Sequence, residues 1–237
     1  MFEIKIRLTT VSGCLIGNQT ESFSVAGVDQ STTIDENGRP IIHGSSFKGA
    51  LRNIVREEEG LMKYTKDYVK SLIEQVLKKY KDIEKTDKIN KMIKSLEKKA
   101  EDPKAEYIFG MEGVNNMPRL FCSDFRVLEC EDKRNDDYFL IETKNNLEEK
   151  NGDLISNPRT YKVIKPGVVF EGIIRFYNPF FEDSDEELEK VKCELKKAIK
   201  KFDTGLYGIG NSKSRGYGQI RVDFGDSIGA GECDDKI

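Results

Sequence analysis

FEIKIRLTTVSG, residues 2–13, alternates apolar and polar side chains from Phe2 to Thr9. A period of two predicts a β-strand with one buried and one accessible face, so the fold opens on a strand. Similar runs occur late in the chain, as VVFEGIIRFYN at 168–178 and QIRVDF at 219–224. Residues 185–202, between these two runs, place apolar side chains at helical spacing, which predicts an amphipathic helix before the last strand.

A second amphipathic helix is predicted at 47–59, FKGALRNIVREEE, and we expect Ser45 or Ser46 to cap its N-terminus. Residues 61–104 are rich in Lys, Glu and Asp at helical spacing and contain no Gly or Pro before Pro103. We interpret them as an inserted helical hairpin with solvated faces.

Two shorter runs, near 119–130 and 137–144, predict additional strands, whereas the polar residues 145–167 resemble an irregular segment. Strands and helices in this order predict an α+β fold, with a ferredoxin-like or RRM-like antiparallel sheet and helices on one face. The expected divisions are a discontinuous core at 1–60 and 105–226, the helical insertion at 61–104 and a flexible tail at 227–237.

The composition excludes several classes of protein. No apolar stretch is long enough to span a membrane, and the first residues, MFEIKIRLTT, do not resemble an export signal, so a cytoplasmic protein is expected. The five cysteines are scattered and lack a CxxC pair, which is typical of reduced thiols and not of a zinc site. A formal net charge of −3 means that any nucleic-acid site must be a local basic surface.

The segment GIGNSKSRGYG at 208–218 is a candidate phosphate-binding turn. Glycines allow close approach of the backbone to a phosphate, and Lys213 and Arg215 supply positive charge. The segment follows a predicted helix and enters a strand, so it is neither a P-loop nor a dinucleotide-binding turn. A tight turn with solvated charges is the alternative interpretation.

The segment PIIHGSSFKGALR at 40–52 is a second candidate. Free backbone N–H groups and hydroxyls at a helix N-terminus, with Lys48 and Arg52 following on one face, could bind a phosphate. Helix capping and a surface stripe would explain the same residues. Before it, residues 14–44 form a long polar connection, and ordered loops of this length are often functional.

These two segments resemble the characteristic stretches of the RAMP superfamily of CRISPR-associated proteins, as DENGRPIIHGSSFKGALR and GIGNSKSRGYGQIRV. YIFGMEGVNNMPRLFCSDF at 107–125 and SNPRTYKVIKPGVVFEG at 156–172 resemble it as well. The similarity runs in order through most of the chain and is strongest to the backbone subunits of type III-A interference complexes.

The resemblance implies a protein whose copies assemble head to tail along a guide RNA that is paired with a target RNA. The other expected partners are further subunits of the type III effector complex, and no membrane is expected among them. The resemblance also implies a β-hairpin thumb, which would fall within about 142–161. The residues expected to bind RNA are His43, Gly44, Ser45, Ser46, Lys48, Arg52, Arg159, Gly210, Asn211, Lys213, Ser214 and Arg215.

The resemblance further implies that an aspartate on the loop after the first strand cuts the target RNA at regular intervals, and Asp29 in GVDQSTTIDENGRP stands at that position. Attack by a 2′-hydroxyl needs a proton acceptor or a ligand for a divalent cation such as Mg²⁺, and a loop carboxylate can serve as either. Asp29 is therefore the predicted catalytic residue and metal ligand. Asp35 is the rival, although DENG is typical of a turn.

Two other functions remain open. His43 is the only histidine, and a guide-processing endoribonuclease of the same superfamily could use it as a general acid or base. In the backbone subunits a proline usually stands before GSS, so His43 departs from their pattern. The other alternative is a non-catalytic scaffold that only binds the guide.

Overall fold

The computed structural model of the protein describes residues 1–17, 30–80, 86–111, 119–128, 134–150, 153–178 and 184–225. Within these ranges, no helix is both long and apolar enough to cross a lipid bilayer. The strands are β1 (Phe2–Thr10), β2 (Gln30–Ser31), β3 (Ile41–Ile42), β4 (Arg119–Cys122), β5 (Phe125–Val127), β6 (Phe139–Lys150), β7 (Asp153–Ile164), β8 (Val169–Tyr177) and β9 (Ile220–Phe224). The α-helices are α1 (Gly44–Glu57), α2 (Lys63–Lys79), α3 (Asp87–Glu101) and α4 (Asp185–Lys200).

The main sheet is antiparallel, with β1 between β8 and β9 and with both β4 and β5 pairing to the other edge of β8. The core elements follow the order strand–helix–strand twice along the chain, and β1 and β8 lie at the centre of the sheet. This is the ferredoxin-like arrangement. The α+β fold class predicted from the sequence is confirmed.

Buried and accessible side chains alternate along β1, so the two faces of this sheet differ in their surroundings. Ile4, Ile6 and Leu8 are fully buried beneath the helices, whereas Lys5 and Arg7 are exposed on the opposite face. Phe47 of α1 packs against Phe125 of β5 at a ring-centroid distance of 4.7 Å. Burial of such large side chains, each stabilising the fold by about 2 kcal/mol, fixes α1 on the sheet.

The helices of the 61–104 segment differ from the expected solvated hairpin. On α2, Val69 and Ile73 are fully buried and belong to the same hydrophobic core as the sheet. On α3, Leu96 is the one buried residue. Charged residues on the outer faces made both helices look alike in sequence, but α2 packs against α4 and α3 covers α2.

A second sheet is formed by β2, β7 and β6, in that order. β6 and β7 pair along their whole length, from Phe139 opposite Ile164 to Lys150 opposite Asp153. The interpretation of residues 145–167 as irregular is therefore wrong for most of that stretch. Its polar composition leaves little alternation of apolar and polar residues to indicate a strand. The stretch 142–161 lies inside this hairpin.

Candidate nucleic-acid interface

The glycine-rich turn lies between α4 and β9 and is fixed against the chain that leaves β1. Gly210 has φ 84°, and a β-carbon there would overlap the carbonyl oxygen of Leu15. The backbone N–H of Asn211 donates to that same oxygen over 2.8 Å, and its side-chain amide donates to the carbonyl of Gly17 over 2.8 Å. Gly210 and Asn211 are thus used to hold the turn in place.

The tip of the turn presents two cations to solvent. Ser212 adopts a left-handed conformation with φ 58°, and Lys213–Arg215 form a single turn of 3-10 helix. The side chains of Lys213, Ser214 and Arg215 are exposed and make no hydrogen bond or ion pair with any other described residue. These side chains are available to a phosphate.

The N-terminus of α1 is built differently from the sequence prediction. His43 occupies the cap position without a side-chain cap hydrogen bond, and Ser45 and Ser46 lie inside the first turn, so the predicted serine cap is wrong. The N–H of Gly44 instead donates to Oδ1 of Asp124 over 2.8 Å. Asp124 comes from the β4–β5 turn, a long-range contact that no local pattern signals.

Lys48 and Arg52 are engaged within the fold. Nζ of Lys48 donates to the carbonyl of Leu120 over 2.9 Å, and burial lowers the pKa of Lys48. Arg52 bonds to the carboxylate of Glu106 and the carbonyl of Gly110. A phosphate would have to compete with these partners to reach either side chain.

A ladder of backbone hydrogen bonds connects the two candidate segments. Asn211 bonds to Leu15, Thr33 donates to the carbonyl of Ile16 over 2.8 Å, and Ile41 donates to the carbonyl of Thr33 over 3.2 Å. The glycine-rich turn, which carries Lys213 and Arg215, is thereby connected through the chain after β1 to the strand that precedes His43. Lys48 and Arg52 are instead held by Leu120, Glu106 and Gly110.

Asp29 lies outside the described residues, and its role stays a prediction. The next residue, Gln30, pairs in parallel with Tyr161 of the hairpin, and Tyr161 pairs in turn with Glu142. The rival Asp35 is a turn residue, because its Oδ1 accepts the backbone N–H groups of Asn37 and Arg39, each over 2.9 Å.

Sequence reasoning missed the contact between the hairpin and the glycine-rich turn. The hydroxyl of Tyr217 donates to the carboxylate of Glu142, and Nζ of Lys144 lies 3.9 Å from the Tyr217 ring centroid. Burial and then the bond to Glu142 raise the pKa of Tyr217, so its hydroxyl keeps its proton. Leu15 and Val163 complete a small apolar cluster around Tyr217, separate from the main core.

The described part of the chain contains no group of three or more His, Cys, Asp or Glu side chains that could hold a metal ion. His43 and Asp124 come closest to a paired site, with Nδ1 of the histidine 3.6 Å from Oδ1 of the aspartate. His43 is exposed at the start of α1, where substrate could reach it.

Three features define the class of protein: the ferredoxin-like sheet, the glycine-rich turn before its last strand, and the long hairpin. The chain belongs to the RAMP superfamily, whose family model matches residues 7–221. The resemblance inferred from the sequence is therefore confirmed.

Among curated proteins, the chain is similar to the CRISPR system Cms endoribonuclease Csm3 of Methanocaldococcus jannaschii. The two are 26% identical over 231 residues, which cover 89% of this chain and 73% of the relative. Among solved structures, it is similar to a chain of the Type III-B Cmr-beta complex bound to cognate target RNA, with a TM-score of 0.55 and 18% identity. That match covers 94% of this chain but spans only 60% of the other, and at this identity it supports the fold alone.

Proposed function

We propose that this protein is a repeating backbone subunit of a type III CRISPR effector complex, which binds guide RNA and cleaves the complementary target RNA. Membership of the RAMP superfamily supports the proposal, as do the endoribonuclease name of the M. jannaschii relative and the fold of a chain in a complex bound to target RNA. Copies would assemble head to tail along the guide and contact the other subunits of the complex.

The observation that carries the cleavage proposal is the pairing of Gln30 with Tyr161. Asp29 directly precedes Gln30 in the chain, and Gln30 pairs with the hairpin. A hairpin that separates segments of an RNA duplex would bend the backbone beside this loop, and catalysis needs such alignment of the 2′-hydroxyl with the adjacent phosphate.

Within this proposal the charged groups have distinct roles. Lys213 and Arg215 hold phosphates of the guide strand, since their side chains are exposed at the tip of the glycine-rich turn. The carboxylate of Asp29 accepts the proton of the attacking 2′-hydroxyl, which is the task of a general base. Arg159 on β7 adds positive charge along the hairpin.

The same carboxylate could hold a divalent cation, for which Mg²⁺ is the first choice. Mg²⁺ is commonly bound through one or two carboxylates together with substrate phosphates and water, so a single aspartate with RNA is a sufficient donor set. When bound, the cation would supply positive charge to the phosphate that is cut.

Target cleavage by the assembled complex tests the proposal. Replacing Asp29→Ala should leave target binding intact and slow the periodic cutting by about 100-fold or more, as expected for loss of a general base. Asp35→Asn is the matched control, because the amide retains the acceptor oxygen of the turn and should leave cutting unchanged. Periodic cutting at the normal rate by the Asp29→Ala complex would remove the nuclease assignment and favour a non-catalytic scaffold.

The pair formed by His43 and Asp124 favours a second candidate, a guide-processing endoribonuclease. A carboxylate beside an exposed imidazole can orient it for proton transfer. Such an enzyme should cut a repeat RNA hairpin as purified protein, without divalent cations, and His43→Ala should abolish this activity. A backbone subunit should be inactive in this assay.

A further inference from the structure

One row of paired residues crosses the hairpin toward the predicted catalytic residue. Glu142 of β6 is the register partner of Tyr161 of β7, and Tyr161 is in turn the register partner of Gln30 of β2. Gln30 directly follows Asp29 in the chain. Neighbouring strands in a sheet lie about 4.8 Å apart, so about 10 Å of hydrogen-bonded backbone separates Glu142 from the residue next to Asp29.

The glycine-rich turn holds the first member of this row. The hydroxyl of Tyr217 donates to Oε2 of Glu142, and Nζ of Lys144 lies 3.7 Å from the same oxygen. Tyr217 is only 8% exposed, so little water competes with its hydroxyl for the carboxylate. The contact therefore fixes this point of β6 against the turn.

The ring and the hydroxyl of Tyr217 make separate contacts. The ring packs with Leu15 and Val163 in the small apolar cluster, and this packing does not need the hydroxyl. The hydroxyl reaches Glu142, which lies farther along the hairpin than Val163 and its register partner Leu140. Removal of the hydroxyl alone therefore releases the hairpin at Glu142 and leaves its base packed.

Tyr217 also lies close to the two cations at the tip of the turn. Only Gly216 separates it from Arg215, and the N–H of Gly216 donates to the carbonyl of Lys213 over 3.0 Å. On the other side, the N–H of Gly218 donates to the carbonyl of Gly13 over 2.9 Å. A phosphate held by the cations is therefore positioned relative to Tyr217 by a short, hydrogen-bonded stretch of backbone.

We propose that Tyr217 and Glu142 are positioning residues for target cleavage. Their hydrogen bond sets the row that ends at Gln30, and with it the carboxylate of Asp29, in a fixed place relative to the RNA held by the turn. This inference rests on the proposed function, in which the guide on the turn and the target at Asp29 are base-paired to each other. It assigns the two side chains a role in the rate of cutting and none in RNA affinity.

Single-turnover cutting of target RNA by an excess of the assembled complex separates rate from affinity. Tyr217→Phe keeps the packed ring but loses the hydrogen bond. Misplacement of a reacting group by about 1 Å can slow a reaction about 100-fold, so we expect the cutting rate constant to fall by about tenfold or more. The Kd for a target with 2′-deoxyribose at the cut positions, which lacks the attacking hydroxyl, should stay at the wild-type value.

The hairpin supplies a matched control in Thr143, which follows Glu142 on β6 and projects from the opposite face. Its Oγ1 lies 3.5 Å from Oγ1 of Thr160. Thr143→Val removes a hydroxyl contact from the same hairpin without touching Tyr217. The cutting rate constant of this variant should equal that of the wild type.

Substitutions at Glu142 test whether the hydrogen bond itself matters. Glu142→Gln keeps an acceptor oxygen for Tyr217 and should cut at a rate close to that of the wild type, whereas Glu142→Ala should be as slow as Tyr217→Phe. The double variant Tyr217→Phe with Glu142→Ala should be no slower than either single variant, because both changes remove the same bond.

The inference is overturned if Tyr217→Phe cuts at the wild-type rate, if its Kd rises in proportion to the slower cutting, or if Thr143→Val is slowed equally. If Tyr217→Phe does not assemble, the same outcomes for Glu142→Ala decide. Failure of the proposed function has a different signature, namely a wild-type complex that does not cut target RNA or an Asp29→Ala complex that cuts normally. Either result would remove the inference with it.

Discussion

Gly210 packs directly against the carbonyl oxygen of Leu15, and no side chain fits between them. The same is true of Gly218 and the carbonyl of Ile209, whereas nothing lies within 4 Å of a β-carbon built on Gly216. Most of the glycines in this turn are therefore explained by packing within the chain. Gly216, next to Arg215, is the one where a backbone approach by RNA remains unobstructed in the described structure.

Alanine at Gly218 should be far more costly than alanine at Gly216. Both positions are left-handed, with φ 77° and 83°, and a side chain costs about 1 kcal/mol there on conformation alone. At Gly218 the overlap with Ile209 adds to this, for a total loss above about 2 kcal/mol. Equilibrium unfolding in urea measures both variants, and equal losses would contradict the packing argument.

The start of α1 offers a second pair of glycines on one helix. A β-carbon at Gly44 would overlap the carbonyl oxygens of Cys122 and Ser123, so Gly44→Ala should destabilise the fold by about 1–3 kcal/mol. Gly49 is exposed in the helix interior with open space around it, and Gly49→Ala should stabilise by about 0.5–1 kcal/mol. Thermal unfolding should therefore shift in opposite directions for the two variants, and a shift in the same direction would be inconsistent with the close approach at Gly44.

Glu106 should make stability depend on pH. Its burial alone would raise the pKa of the carboxyl, but the hydrogen bonds and charges of Arg56 and Arg52 outweigh it, and the pKa is lowered overall. Because the pKa of Glu106 is lower in the folded than in the unfolded chain, where it is about 4.3, the charged carboxylate stabilises the fold above that pH. This stabilisation is lost as the pH falls through the pKa of the folded state.

Glu106→Gln should therefore cost about 1 kcal/mol at pH 7 and progressively less below pH 4. Urea titrations of both proteins across this range measure the difference. A difference that stays constant from pH 7 down to pH 3 would show that the Arg56 and Arg52 contacts do not depend on the charge of Glu106.

Chelation separates the two candidate nuclease reactions. If Asp29 acts with a divalent cation, EDTA should stop periodic target cutting by the assembled complex, and excess Mg²⁺ should restore it. Repeat-RNA cleavage through His43 should be insensitive to EDTA. Gel analysis of both substrates under the same buffer conditions distinguishes these outcomes, and EDTA-resistant target cutting would leave Asp29 as a proton acceptor without a metal.

The strands and helices that the sequence predicted well are those with strong periodicity. β1, β8, β9, α1 and α4 combine apolar residues at a period of two or of helical spacing, and together they define the ferredoxin-like sheet. Alternation indicated only the start of β6, near 137–144, and the rest of the hairpin was predicted by the resemblance alone, because its polar sequence leaves little alternation of apolar and polar residues. Its pairing is instead set by backbone hydrogen bonds and by its base, where Val163 packs on Leu15 and Tyr217.

The candidate site was only partly predictable for a similar reason. Lys48 and Arg52 were grouped with Lys213 and Arg215 by residue type, but Leu120, Glu106 and Gly110 bind the first two within the fold. Those partners are distant in sequence, and no local spacing reveals them. Asp124 and Glu142 were overlooked because their importance arises from contacts with Gly44 and Tyr217.

The parallel pairing of β2 with β7 joins the two residues that follow Asp29 to the stem of the hairpin. Because the two segments share backbone hydrogen bonds, a tilt of the stem must carry Gln30 and Ser31 with it. In a filament of such subunits, the distance between neighbouring hairpins would then determine the interval between successive cuts, whatever the sequence of the RNA.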